Sequence, residues 1–275
     1  MLIEKLATHY RIEVDAEFRK MLRELDIFQK RTGFSNVFTP ENKGPYEDRL
    51  RDGEIVLVDR EAVVEPFTTF DTGNAIHSCG AFTSLASNLG LKTVVGRYSC
   101  IGMGVKRMGF RHPLDSVSLN SAVFNFNREN IAAYFDSAAK RDRKLPPLKP
   151  VPLPQPQDGL ITIGNDVWIG DNVTLMGGIT IGDGAVIAAN STVTRSIPAY
   201  AFAAGTPAVV RKSRFPEDIC RGLQETQWWT YDLADMYRAS LPFHDPKQFI
   251  GKFLRGRMNL RPLSVDGSRL VKLLG

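Results

Sequence analysis

Residues 161–205 read ITIGNDVWIGDNVTLMGGITIGDGAVIAANSTVTRSIPAYAFAAG. In this stretch Ile163, Ile169, Leu175, Ile181, Ile187 and Val193 are aliphatic, each six residues after the last. The residue that follows each is small or polar (Gly164, Gly170, Gly182, Ala188, Thr194), with Met176 the one bulky exception. Four residues after each aliphatic stand Val167, Val173, Ile179, Ala185, Ser191 and Ile197, so a second position also keeps its phase. A period of six is not the 3.6 of a helix, whereas the alternation of a strand fits inside it. The physical solution is a short flat strand followed by a corner, repeated, so that the chain winds as a prism with the aliphatic pointing inward. The small neighbour is expected to let the backbone turn the corner. A single coil cannot bury its apolar edge, so coils stack and share one continuous core. An antiparallel sandwich of short strands is the competing reading, but sandwich strands keep no fixed six-residue phase.

Outward from this array the period fades and returns. The segment LGLKTVVGRYSCIGMGVK (89–106) places Leu89, Val95 and Ile101 in phase, with Thr93, Ser99 and Val105 four residues on; degenerate coils are expected from about Val63. Residues 107–160 break the period and end in LPPLKPVPLPQP, read as a stiff polyproline strap. A long excursion from a repeat array is expected to be functional. Before the array, Asp15 caps an expected helix running to about Gln29, with Phe18, Leu22, Leu25 and Phe28 on one face, packed over the end of the prism. A polar stretch with Gly33, Pro40, Gly44 and Pro45 follows, then a strand-like EIVLV at 54–58. After the array, GTPAVVRKSR (205–214) closes the prism, and a helix begins near Pro216 with Glu217 and Asp218 in its first turn. Trp228 and Trp229 read as packing residues. Lys252, Arg255, Arg257, Arg261, Arg269 and Lys272 make the tail basic, as an anionic contact or as a solvated end. The expected division is an N-terminal extension (1–60), a parallel β-helix (61–213) with an inserted loop (107–160), and a C-terminal helical region with a basic tail (214–275).

The chain has 275 residues, 43% hydrophobic and 24% charged, enough for one large or two modest globular units. It contains no run of about 18 apolar residues, the length a membrane helix needs. The first residues carry Glu4 and His9 where a signal peptide would be apolar, so no secretion signal is read. Cys79, Cys100 and Cys220 are odd in number and scattered, which argues for a reducing, cytoplasmic compartment and against a disulfide frame or a metal site. A net charge of +5 favours anionic partners. Basic residues are not interleaved with aromatics as a nucleic-acid surface requires, so a phosphate-rich small molecule fits better.

For chemistry the array itself offers no cleft, so a site requires an excursion over a coil face. His112 lies in that excursion, in GFRHPLDSVS, and a neutral imidazole is the best general base at cellular pH. His9 and His244 lie in flanking segments, and His77 near the poorly periodic start.

Taken together, VVGRYSCIGMGV, GFRHPLDSVS, IGNDVWIGDNVTLMGGITIGDGAVIAANSTVTRSIP and AAGTPAVVRK resemble the hexapeptide-repeat acyltransferases. The branch resembled is that of the xenobiotic acetyltransferases, which modify chloramphenicol and streptogramins; RFPEDI and QWW resemble its helical C-terminus. The resemblance covers residues 89–126 and 160–235 and leaves 1–60 and the segment beyond about 245 without a counterpart. It implies a left-handed parallel β-helix, although parallel crossovers in general are right-handed. It further implies an acetyl-coenzyme A donor, direct transfer to an acceptor hydroxyl, and a homotrimer with each site between two subunits. His112 falls on the family's general base, and the backbone N–H of Asp171 on its oxyanion donor. Asp115, three residues after His112, is a guess at the group orienting the ring. The family's coenzyme contacts fall on Trp168, Asp171, Ala189, Thr194, Arg195 and Lys212.

Charge supports the cations independently, since Arg195, Arg211 and Lys212 bring fixed positive charge to the last coils to meet a polyanionic 3′-phospho-ADP end. Gly177, Gly178 and Ala189 leave room for the pantetheine arm against the backbone. Trp168 reads equally well as an outward packing residue, and Val209 stands where the family has an arginine. The reading is therefore an acetyl-CoA-dependent O-acetyltransferase. A carbohydrate acceptor is preferred because the N-terminal segment is large. An antibiotic O-acetyltransferase, an amino-sugar N-acetyltransferase and a non-catalytic β-helix scaffold are the alternatives.

Overall fold

The structure is a computed structural model that describes residues 2–29, 48–142, 147–153 and 159–275. Its centre is a three-walled column of parallel strands. The chain visits the walls in rotation: Ile161–Ile163 on the first, Trp168–Ile169 on the second, Thr174–Leu175 on the third, then Thr180–Ile181, Val186–Ile187 and Thr192–Val193 on the same three again. Thr162 pairs with Thr180, Trp168 with Val186 and Thr174 with Thr192, each partner 18 residues on. Three hexapeptides therefore make one coil. Ile163, Ile169, Leu175, Ile181, Ile187 and Val193 all point inward and are buried in one continuous cluster. Fully burying such a side chain stabilises by about 1.5–3 kcal/mol. Where the second in-phase position is a hydroxyl, it bridges coils. The Ser99 hydroxyl donates to the Gly164 carbonyl at 2.9 Å and accepts from the Val167 N–H at 3.1 Å.

The corners work differently from the expectation. The residue after each aliphatic is not where the backbone turns left-handed. That conformation falls three residues after the aliphatic, at Asp166, Asn172, Gly178, Gly184 and Asn190, again every six residues. These are the residue types that tolerate positive φ. The small residue next to the aliphatic answers to a separate constraint, close approach of coils. A Cβ on Gly164 would stand 2.7 Å from the Asp183 nitrogen, and one on Gly170 2.7 Å from the Ala189 nitrogen.

Earlier and later coils are tighter. Val95 pairs with Cys79 and Ile101 with Leu85, while Ile197 bridges to Ile181 and Ala203 pairs with Ile187, all 16 residues apart. Coils reach back to Val64, which bridges to Cys79. Ala208–Ser213 then folds antiparallel onto Ala201–Gly205 and ends the second wall.

The ends of the column are closed by segments outside the repeat. Asp15 caps helix α1 (Ala16–Glu24) by accepting from the Phe18 N–H at 2.8 Å, and Phe18 and Leu22 are buried in the column's own cluster. The helix stops short of Gln29 because Asp26 takes a left-handed φ and Ile27–Phe28 joins the second wall beside Thr68–Phe70. His9–Glu13 pairs antiparallel with Leu2–Lys5 and with Ile55–Asp59, which in turn pairs parallel with Ala75–Ile76. The stretch containing Gly33, Pro40, Gly44 and Pro45 lies outside the described residues.

Residues 108–159 form a compact unit of their own, with helix α2 (Glu129–Asp142) and a 3-10 turn at Ser121–Val123. Residues 147–153 of the proline-rich segment have no regular secondary structure, and the rest of that segment lies outside the described residues, save Asp142 and Gly159 at its edges.

Helices α3 (Glu217–Thr226), α4 (Leu233–Arg238) and α5 (Pro246–Gly256) follow the array and build a second core from Leu223, Met236, Phe249 and Phe253 with Tyr200 of the column. The basic tail is neither an anionic arm nor a solvated end. It folds into α5 and α6 (Arg269–Leu274), and α6 buries Leu270 and Leu274 in the column's cluster while its basic residues face out.

Leu175→Ala is expected to lower unfolding free energy by about 2–5 kcal/mol, and Thr174→Ala, whose side chain points out of the wall, by under about 0.5 kcal/mol, both read from urea denaturation. A second prediction concerns acid. His77 is buried against Phe70, and desolvation pushes its imidazole from 6.5 down to about 4. Between those values the unfolded chain binds a proton that the folded chain does not, so His77 removes stability as pH falls from about 6.5 to about 4. His77→Gln should flatten that part of the stability-against-pH curve, measured as denaturation midpoints from pH 7 to pH 4.

Candidate functional site

Flat walls leave only their outer faces and corners for chemistry. On the second wall Trp168 sits between Cys100 and Val186 in register, and Phe202 follows Val186. Trp168 is 59% exposed, so its ring is not a packing residue within this chain. The next strand returns antiparallel, and the Lys212 ammonium lies 5.6 Å from the Phe202 ring centre. A bulge between Phe202 and Ala203 leaves Arg211 out of the pairing, with its side chain exposed.

On the corner after this wall stand Asp171 and, one coil on, Ala189. The Asp171 carboxylate accepts from the Met103 N–H at 2.8 Å, and its carbonyl accepts from the Asn190 N–H at 2.8 Å. The N–H of Asp171 itself donates to no acceptor among the described residues and faces outward.

Gly178, Thr194 and Arg195 lie on the following corner. The Met176 N–H donates to the Val193 carbonyl, which sets Thr194 and Arg195 alongside the Gly177–Gly178 turn. Gly178 takes φ +79° there. Arg195 and Arg211 are exposed, and neither is paired with a carboxylate among the described residues. The column thus brings the expected residues into two groups on adjacent corners, with cations in both. The described residues hold no cluster of His, Cys, Asp and Glu suited to a metal ion.

His112 belongs to the unit of residues 108–159. Its Nδ1 faces the Leu119 carbonyl, and its ring meets Phe124 edge-on at 5.2 Å. A carbonyl only accepts, so the neutral ring carries its proton on Nδ1 and leaves Nε2 as the basic lone pair. The Leu119 carbonyl, not Asp115, holds the ring; Asp115 is exposed and makes no hydrogen bond to it.

The sequence did not point to Cys100. It is exposed beside Trp168, and burial raises its thiol pKa. Its strand lies across the long insertion from Trp168, so no short-range pattern could join the two.

Replacing Arg195 or Arg211 with Ala is expected to leave unfolding free energy within about 0.5 kcal/mol of the parent. Asp171→Ala loses its bond to the Met103 N–H and should cost about 0.5–1.5 kcal/mol. Urea denaturation distinguishes the two cases.

The family described as "Bacterial transferase hexapeptide (six repeats)" matches residues 161–195. A "Probable macrolide acetyltransferase" of Lysinibacillus sphaericus is 34% identical over 152 residues, 54% of this chain and 75% of the relative. A "Chloramphenicol acetyltransferase" of Morganella morganii is 34% identical over 156 residues, 55% of this chain but 65% of the relative. Among solved structures, a galactoside acetyltransferase in complex with coenzyme A superposes with a TM-score of 0.32 at 26% identity, covering 58% of this chain and 66% of that one.

Proposed function

This chain belongs to the hexapeptide-repeat acetyltransferases, enzymes whose acetyl donor is acetyl-coenzyme A, and on that premise we propose that it transfers the acetyl group to an acceptor hydroxyl with His112 as general base. The observation that carries the proposal is the orientation of His112: with Nδ1 turned to the Leu119 carbonyl, Nε2 is the free base. In this reading Nε2 takes the proton as the acceptor oxygen attacks the thioester carbonyl, and returns it to the departing thiolate. The acceptor is the nucleophile, so no serine or cysteine is required. The outward N–H of Asp171 donates to the oxyanion that develops on the carbonyl.

Arg195, Arg211 and Lys212 hold the phosphorylated end of the coenzyme, and Trp168, Gly178, Ala189 and Thr194 line its path. Their fit rests on the exposed ring, the side-chain-free turn at Gly178 and two guanidinium groups that no carboxylate of the described residues neutralises. With the family we also read a left-handed winding and a homotrimer. Exposed Phe110, Leu114 and Val117 near His112 support an assembly that covers them. No described helix is long and apolar enough to cross a membrane, and the free thiols of Cys79, Cys100 and Cys220 support a reducing, cytoplasmic setting.

For the acceptor, an antibiotic-class hydroxyl is favoured by the names of the two relatives matched over more than half of this chain. A saccharide hydroxyl is the second reading. The N-terminal segment that spoke for it places Phe18 and Leu22 in the column's core.

His112→Ala should reduce turnover at least about a hundred-fold while acetyl-CoA still raises the melting temperature; unchanged turnover removes His112 from the mechanism. Arg211→Ala should weaken acetyl-CoA more than dephospho-acetyl-CoA, which lacks the 3′-phosphate, as read by calorimetric titration. Thiol release measured over macrolides, chloramphenicol and matched sugar alcohols and amines identifies the acceptor class.

A further inference from the structure

Between the corner that precedes the second wall and the C-terminal helices lies a cleft of about 190 Å³ that acetyl transfer does not use. Asp166 and Arg214 are its only charged lining residues, and Tyr200, Phe215, Trp228 and Phe243 supply most of its apolar surface. The two charges are unequally satisfied. Arg214 donates to Asp166 Oδ2 at 3.0 Å and to the Gly184 carbonyl at 2.6 Å. Its guanidinium also lies 5.6 Å from the centre of the Tyr200 ring and 5.2 Å from that of Phe215. Asp166 has that one partner for its carboxylate, and Oδ1 accepts no hydrogen bond among the described residues. Burial raises its pKa in spite of Arg214, and the neighbouring Asp183 adds to the rise. The corner therefore holds two carboxylates against one guanidinium, with one carboxylate oxygen unused.

The aromatic side of the cleft is arranged for a cation as well. Trp228 and Phe243 meet edge-to-face, with centroids 6.3 Å apart and an angle of 80° between their planes. Two perpendicular rings beside a carboxylate form three sides of an aromatic cage, and ring faces attract ammonium groups. An anion would meet the excess negative charge. A neutral apolar ring would desolvate Asp166 Oδ1 further and leave it unpaired. The volume lies below the roughly 300–1,000 Å³ of sites for drug-sized molecules, so the occupant is small.

We propose that this cleft binds a small organic cation, an ammonium group on a short arm from an apolar ring, with the ammonium at Asp166 Oδ1 and the ring against Trp228 and Phe243. This site goes beyond acetyl transfer and does not depend on it.

The test titrates the full-length protein, without acetyl-CoA, with 2-phenylethylamine, 2-phenylethanol and 3-phenylpropionate, read by tryptophan fluorescence and ligand-observed NMR. The amine should bind about ten-fold tighter than either analogue. Phe243→Ala, at an exposed position that leaves the Asp166–Arg214 pair in place, should weaken the amine about five-fold or more. Asp166→Asn should bring the amine down to the level of the alcohol. Equal binding of the three compounds, no binding of the amine, or amine binding unchanged by Phe243→Ala would each overturn the site.

Discussion

Stacking of coils at a constant pitch is the constraint on which this molecule depends. An inward aliphatic is useful only if the aliphatic of the next coil lies directly above it, as Ile163 lies on Ile181 and Ile169 on Ile187. Register of that kind demands equal coil lengths, and equal lengths demand a turn at the same place in every hexapeptide. The left-handed residues at Asp166, Asn172, Gly178, Gly184 and Asn190 are that turn. Gly164 and Gly170 satisfy a separate demand, since coils approach so closely at these points that no Cβ fits. The core, the turns and the close contacts are thus three consequences of one repeat, each placed on its own residue.

One corner shows how tertiary contacts take over from residue type. Phe67, Phe82 and Tyr98 are left-handed where bulky side chains are disfavoured. Their rings form a staircase, Phe67 on Phe82 at 5.7 Å, Phe82 against Tyr98 at 4.9 Å and Tyr98 against Trp228 at 4.7 Å. Stacking offsets a backbone cost of about 1–2 kcal/mol per residue. It also ties the C-terminal helices to the column, with help from Arg97, which donates to both oxygens of Glu65 at 2.7 Å and to the Trp229 carbonyl at 3.1 Å. The paired tryptophans are therefore divided in role. Trp229 is buried, whereas Trp228 ends the staircase and opens onto the cleft of Asp166 and Arg214.

A column without a cavity places constraints on catalysis too. Outer faces and corners can present a ring, an N–H or a guanidinium to a long flexible donor, but they enclose nothing. The proton-transfer group must come from elsewhere in the chain, and His112 in the inserted unit has the tautomer for it. The division suits a reaction in which the acceptor supplies the nucleophile, because the protein then has to position and deprotonate, and never to be acylated.

By itself the sequence determined what is periodic. The spacing of Ile163 to Val193 settles the wall-and-corner coil and the identity of the inward residues, because a repeat of six allows one stacking arrangement. Asn and Gly at every sixth position carry the turns for the same local reason. The resemblance of GFRHPLDSVS then singled out His112. Only the tertiary structure decided what depends on residues far apart in the chain. The Nδ1 proton of His112 is set by a carbonyl seven residues away, not by the nearer Asp115. The basic tail becomes a helix because Leu270 and Leu274 find the column's apolar end. Asp166, Arg214 and Trp228 share a cleft because one corner of the coil meets a helical segment some 60 residues later. No local pattern encodes such meetings, since their energy comes from surfaces that exist only after the coils have stacked.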